Sequence, residues 1–298
     1  MSARTIICTA SDDRFFQVSL SLLRSIRDQQ SADIDIGYLD LGLSKENRET
    51  LAKFAPEIAL PGWDIDFAPQ SGDRSTIGAG FKAMVSRPFL RDHFPGYEIY
   101  IWIDADAWVQ NWWAIEWLQN GASGGRLCIA PELDRAYKHC FEIKPYVRWI
   151  FEKQKTYFGE DVARRFGYSP VLNSGVFAMP AAHGIWSIWR EALAEALSRD
   201  VSFHVEQMAL NYAVYSSDHP RCFLPATFNW IANMALPAFD PESGEFVEPD
   251  IPHRPIGVLH LTGNTKLANQ RIALVGREET MESRLFYDPR RRKKATVK

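Results

Sequence analysis

The chain has 298 residues, 46% hydrophobic and 24% charged, with 34 Lys and Arg against 37 Asp and Glu for a formal net charge of −3. That composition excludes disorder for the bulk of the chain and supplies core for one large α/β domain or two small ones, while the near-balance of charge excludes the overall basic field of a nucleic-acid-binding protein. The four cysteines, Cys8, Cys128, Cys140 and Cys222, form no Cys-x-x-Cys pair, which argues against a zinc ribbon or a disulfide framework and for a reduced, cytoplasmic setting.

Thr5 to Thr9 reads as a first strand whose apolar run, Ile6-Ile7-Cys8, is too short for a signal peptide. No later stretch reaches about 18 uninterrupted apolar residues. Phe15, Val18, Leu22 and Ile26 recur at helical spacing, and Ile34 to Leu41 alternates as a second strand. Ser44 opens a polar helix through Leu51 and Phe54, with Glu46 and Glu49 near its N-terminus. This βαβα order predicts an α/β fold with parallel strands covered by helices, its ligands collecting beyond the carboxyl ends of the strands.

After a Pro/Gly-marked stretch from Pro61 to Gly80, the pattern predicts a helix over Lys82 to His93. A nearly continuous apolar strand follows, Glu98 to Ile103, of the kind buried on both faces. It runs directly into Asp104-Ala105-Asp106, and Trp112, Trp113 and Trp117 suggest a helix packed back on the sheet. Next come a strand over Leu127 to Ala130, a long amphipathic region through Lys155 to Arg165, and a strand over Val171 to Met179 interrupted by Asn173-Ser174-Gly175. Helices are expected at Ile185 to Leu197 and Val205 to Tyr215, and late strands at Leu224 to Trp230 and Gly257 to Leu261 around a loop from Pro237 to Pro255. Residues 285 to 298, with the run Arg290 to Lys294, read as a disordered basic tail. A plain solvated tail and peripheral contact with an anionic membrane surface both stay open for it.

Two carboxylates at i and i+2 beyond a buried strand can reach one ligand, and hard oxygen donors suit Mg²⁺ or Mn²⁺ bound together with a substrate phosphate. The plain alternative is a solvated turn. The element His260-Leu261-Thr262-Gly263-Asn264-Thr265-Lys266 adds an imidazole as candidate third ligand, which tilts the choice toward Mn²⁺. It also adds a glycine permitting close backbone approach and a lysine able to pair with diphosphate oxygens. Gln207, Leu210, Asn211 and Val214 share one helical face by their spacing, so one helix can present an amide while its apolar neighbours anchor it.

Several segments, in order, resemble glycosyltransferase family 8, the retaining GT-A enzymes. They are Cys8-Thr9-Ala10-Ser11-Asp12-Asp13, Leu41 to Arg48, Ser86-Arg87-Pro88-Phe89-Leu90, Ile101 to Asp106, Leu172 to Phe177, Glu206 to Asn211, and the His-x-x-Gly-x-x-Lys element at 260 to 266. The likeness spans roughly residues 5 to 266. It implies a GT-A fold: a single Rossmann-like domain over residues 1–284 with a mixed, mainly parallel sheet, about 1–110 forming a nucleotide-sugar half and about 111–284 an acceptor half.

The resemblance further implies a UDP-sugar donor and a saccharide or glycolipid acceptor. Thr9, Ala10 and Asp12 would line the nucleotide pocket, and Arg87 would contact the diphosphate or sugar. Asp104, Asp106 and His260 would bind Mn²⁺, with Asp104 and Ala105 also near the donor. Asn173, Ser174 and Gly175 would lie beside the transferred sugar, Gly263 and Lys266 against the diphosphate, and Gln207 near the anomeric carbon with Glu206 next to it. Two departures stand out: Leu267-Ala268 where many relatives have Pro-Trp, and Ser174 for the commoner alanine. An inert nucleotide-sugar-binding protein and a phosphatase using Asp-x-Asp are the rival readings.

Overall fold

The computed structural model describes residues 3–31, 34–68, 77–266 and 268–292. In chain order the first half runs β1 (Thr5–Ser11), α1 (Phe16–Gln29), β2 (Asp35–Asp40), α2 (Lys45–Leu51), β3 (Glu57–Ala59), α3 (Ala79–Ser86), α4 (Leu90–His93), β4 (Ile99–Ile103), β5 (Ala107–Val109), α5 (Trp113–Ser123) and β6 (Leu127–Pro131). Then follow α6 (Ile143–Phe158), α7 (Glu160–Phe166), β7 (Leu172–Pro180), α8 (Ile185–Arg199), α9 (Val205–Tyr215), β8 (Arg221–Phe223), β9 (Trp230–Ile231), β10 (Ala238–Asp240), β11 (Glu245–Val247), β12 (Val258–His260), β13 (Gln270–Ala273), β14 (Thr280–Ser283) and α10 (Pro289–Arg292).

Seven strands form the central sheet in the order β3-β2-β1-β4-β7-β6-β8. β7 is antiparallel to both its neighbours and every other pairing in this sheet is parallel. The sheet is therefore mixed and mainly parallel, as expected. The chain steps outward from β1 to β2 and β3, then returns to the other side of β1 as β4. That reversal opens a crevice beyond the carboxyl ends of β1 and β4, where open α/β sheets take their ligands.

Alternation along the strands divides the core in two. Ile6, Cys8, Tyr100, Trp102, Phe177 and Met179 face the helices α3, α6, α8 and α9. Ile7, Ile36, Ile99, Ile101, Val176 and Ala178 face α1, α2 and α5. Burying each of the large apolar side chains among these contributes about 1.5–3 kcal/mol. Among the described residues, no helix is long and apolar enough to cross a membrane.

Four expectations are corrected. The helix over Lys82 to His93 is broken: α3 ends at Ser86, Arg87–Phe89 forms a 3-10 turn, and α4 resumes at Leu90. Pro88 has no N–H to continue the ladder, and the tightened turn carries Arg87 inward to 7% exposure. Asn173-Ser174-Gly175 does not interrupt β7. The strand runs through them, its slip confined to the pairing with β6, because the Asn173 side-chain oxygen accepts from Gly175 N at 2.9 Å and Gly175 O accepts from Asp104 N at 2.8 Å.

Leu224 to Trp230 is not a strand: Pro225 starts a 3-10 turn, Ala226–Phe228, and β9 is only Trp230–Ile231. Residues 285 to 292 are not the disordered segment expected of them. Leu285 is buried, its carbonyl accepts from Trp108 Nε1 at 2.7 Å, and the Tyr287 hydroxyl donates to Asp28 at 2.7 Å. Pro289–Arg292 is a short helix, while Lys293 and Lys294 lie outside the described residues. Two hairpins, β10–β11 within the expected loop and β13–β14 after it, were not foreseen.

Candidate functional site

The acids and the imidazole, more than 150 positions apart in sequence, are brought together by a second, three-stranded sheet, β5-β12-β9. β5 starts directly after Asp106 and pairs antiparallel with β12, so that His260 lies opposite Ala107. Leu261 N donates to Asp106 O at 2.8 Å and closes the junction. His260 Nε2 thus stands 3.2 Å from an Asp106 oxygen and 3.7 Å from an Asp104 oxygen, and one ligand atom from each residue lies within 4.8 Å of the other two. The His260 Nδ1 atom is engaged by Asn229 Oδ1 at 2.9 Å.

Two carboxylates and one imidazole nitrogen aimed at a common point form a donor set that fits a divalent ion such as Mn²⁺ or Mg²⁺. The charges around it are unusual. Burial would raise the Asp106 carboxyl, but His260 and Lys266 hold it well below the usual carboxylate range. Burial would lower the imidazole, yet Asp106 and Asp104 hold it above its ordinary value. Asp106 also forms an ion pair with Lys266.

A cavity of about 620 Å³ opens at this cluster, a size suited to a ligand of several rings. Of the residues expected to meet a donor or to take part in catalysis, Ala10, Asp12, Arg87, Asp104, Ala105, Asn173, Ser174, Glu206, Gln207, Gly263 and Lys266 line it, together with Asp106 and His260. Thr9 and Gly175 do not. β1 continues to Ser11, two residues further than expected, so Thr9 lies inside the sheet at 0% exposure. Gly175 sits behind the wall: a Cβ there would come 2.8 Å from Asn173 Oδ1 and 2.9 Å from Asp104 Oδ2. Its lack of a side chain is what lets these groups close together. Asp12 has a second task, accepting from Phe15 N at 3.0 Å to cap the turn before α1.

Arg87 is the hub of the deeper end. Its guanidinium forms ion pairs with Asp104 and, at 2.5 Å, with Glu206, and it donates to Ser174 Oγ at 2.9 Å. It also lies 5.0 Å over the Trp102 ring. Ser174 Oγ donates to the same Glu206 oxygen at 3.0 Å. The other Glu206 oxygen is buried with no hydrogen-bond partner among the described residues, and burial pushes this carboxyl up to about 7 against the pull of Arg87. Gln207 Nε2 donates to Glu132 at 3.1 Å, which leaves its oxygen 3.4 Å from Ser174 N.

Several wall residues were not foreseen: Phe15, Leu41, Ile77, Phe81, Met84, Trp102, Thr262 and the segment Val201 to His204. Phe203 is the most telling, lining the cavity while 74% exposed. It precedes the helix that carries Gln207, and an aromatic residue between two helical patterns was the only signal available. Glu132, beneath the wall, was also missed. It directly follows the strand that ends at Pro131, and a carboxylate beyond a strand's carboxyl end was the available sign.

This architecture is the GT-A fold of glycosyltransferases. The chain superposes on the galactosyltransferase LgtC, solved with donor and acceptor sugar analogues, with a TM-score of 0.55 at 14% identity over 87% of this chain and 88% of that one. It matches the bifunctional glycosyltransferase WbbM at 0.54 and 14% identity, over 88% of this chain but 46% of WbbM. Mouse xyloside xylosyltransferase 1 gives 0.51 at 11% identity, over 89% and 98% of the two chains. At such identities the likeness is one of fold. No family model and no curated protein matches the sequence.

Proposed function

We propose that this chain is a retaining, metal-dependent hexosyltransferase of the family 8 kind, moving a sugar from a UDP-sugar to a hydroxyl of a saccharide or glycolipid acceptor. The observation that carries this reading is the convergence of Asp104, Asp106 and His260 at the floor of one cavity that Arg87 and Lys266 also line. A bound Mn²⁺ would supply a positive charge for the donor's phosphates. Lys266 and Arg87 add two fixed cations on either side, so that the leaving diphosphate is stabilised as negative charge builds on it.

Glu206 is poorly suited to attack the sugar. One of its oxygens is committed to Arg87 and Ser174, and burial keeps the carboxyl partly protonated near neutral pH. The Gln207 amide is a weaker nucleophile still. Both features support same-face attack on a short-lived ion pair, in which the Gln207 oxygen faces the developing positive charge and the leaving phosphate helps accept the acceptor's proton. Ser174, which lines the cavity, then offers a hydrogen-bond partner to a sugar hydroxyl. The apolar wall at Val201, Phe203 and Ile77 suits a sugar face or an aglycone.

Incubation with Mn²⁺ and a panel of UDP-sugars, following UDP release beside phosphate release from a simple monoester, tests the reading. UDP release supports the transferase. Phosphate release alone indicates a phosphatase, and nucleotide binding without either product indicates an inert binding module.

A further inference from the structure

One carboxylate that does not reach the cavity connects its two halves. Glu132, 5% exposed, stands beyond the carboxyl end of β6 with its N–H bonded to Val171 O at 2.7 Å. Its Oε1 accepts from Asn173 Nδ2 at 2.8 Å and from Gln207 Nε2 at 3.1 Å. An amide has one donor end and one acceptor end, so fixing one fixes the other.

With its nitrogen on Glu132, Asn173 must turn Oδ1 the other way, where it accepts from Asn229 Nδ2 at 2.8 Å and from Gly175 N at 2.9 Å. Asn229 in turn shows Oδ1 to His260 Nδ1 at 2.9 Å. That ring nitrogen therefore carries a proton, which leaves Nε2 as the nitrogen that would give its lone pair to a cation held beside Asp104 and Asp106, as a metal-binding imidazole requires. On the other arm, Gln207 with its nitrogen on Glu132 turns its oxygen toward Ser174 N and the cavity. The direction of both arms is the same for a carboxylate and a carboxylic acid. Both N–H groups meet a single oxygen, and a proton would reside on the other, 3.4 Å from the Tyr146 hydroxyl.

We propose that Glu132 is a positioning residue that sets, through two amides, both the ring tautomer of His260 and the orientation of the Gln207 side chain, joining metal affinity to sugar transfer. The inference rests on the metal and donor reading above and adds the residue that aligns them.

The test uses the full chain and three variants, Glu132→Leu, Glu132→Gln and Asn229→Ala. For each, Mn²⁺ affinity is measured by calorimetric titration and UDP release as a function of Mn²⁺, with thermal unfolding as a check on folding. Glu132→Leu is expected to weaken Mn²⁺ binding by about tenfold or more and to lower the rate even at saturating Mn²⁺. Glu132→Gln should restore both, because its amide oxygen accepts the same two N–H groups. Asn229→Ala should weaken Mn²⁺ binding with the saturating rate retained, since it cuts only the His260 arm. The proposal is overturned if Glu132→Gln is as impaired as Glu132→Leu, or if Asn229→Ala binds Mn²⁺ as the parent does. A parent chain that binds no Mn²⁺ contradicts the metal reading itself, whereas normal Mn²⁺ binding by every variant overturns the relay alone.

Discussion

Replacing Glu206 by glutamine should change how stability depends on pH. The carboxyl is 1% exposed, one of its oxygens has no partner among the described residues, and burial lifts it from an ordinary 4.5 to about 7. Below pH 4.5 the group is protonated in both folded and unfolded chains. Between 4.5 and 7 the unfolded chain releases the proton while the folded chain keeps it, so the folded state binds more protons and loses stability as pH rises; above 7 the effect is complete. A shift of that size corresponds to about 3 kcal/mol, taken as an upper figure. Glu206→Gln resembles the protonated form and removes this dependence. Urea unfolding of the parent and of the variant at pH 4.5, 6 and 8 gives the comparison, because other carboxyls cancel in the difference. The parent's stability relative to the variant should fall by up to about 3 kcal/mol across the series. A constant difference, or one that moves in the parent's favour, would refute the reasoning and show that Arg87 keeps Glu206 ionised throughout.

Other expectations concern the packing behind the site. Gly175→Ala forces a methyl into space within 3 Å of Asn173 Oδ1 and Asp104 Oδ2; overpacking of this kind costs about 1–3 kcal/mol. Weaker Mn²⁺ binding on titration is therefore expected, and parent-like affinity would contradict the close approach. Asn211 fastens α9 to β7 through two bonds, accepting from Leu172 N at 2.7 Å and donating to Leu172 O at 2.9 Å, and donates within its own helix to Gln207 O at 2.7 Å. Asn211→Ala leaves the buried backbone groups of Leu172 unpaired and should cost about 2–4 kcal/mol in urea unfolding. A loss under about 1 kcal/mol would mean that another group replaces the clamp.

The elements that carry the site were legible where the signal is local. The apolar run into Asp104 marks β4 and its carboxyl end, and Ser44 caps α2 through a 3.3 Å bond from Asn47 N. The spacing of Gln207, Leu210, Asn211 and Val214 identifies α9. What could not be read depends on partners distant in sequence. The Asn173–Gly175 segment looks like a break until Asp104 N takes the Gly175 carbonyl. Asn229 reads as part of a strand until the turn after Pro225 directs it inward to Asn173 and His260. Arg87 reads equally well as a surface arginine, and only the tightened turn at Pro88 buries it between Asp104 and Glu206. His260 could be singled out as a candidate from its own segment, but the register of β12 against β5 is what gives it Asp106 as a neighbour.

Crystals grown with UDP and Mn²⁺, with data collected at the manganese absorption edge, test the central claim directly. The account predicts one strong anomalous peak within coordinating distance of an Asp104 oxygen, an Asp106 oxygen and His260 Nε2, and the loss of that peak in Asp106→Asn. A peak bound elsewhere, or nucleotide held in the cavity with no metal beside these three side chains, would contradict it.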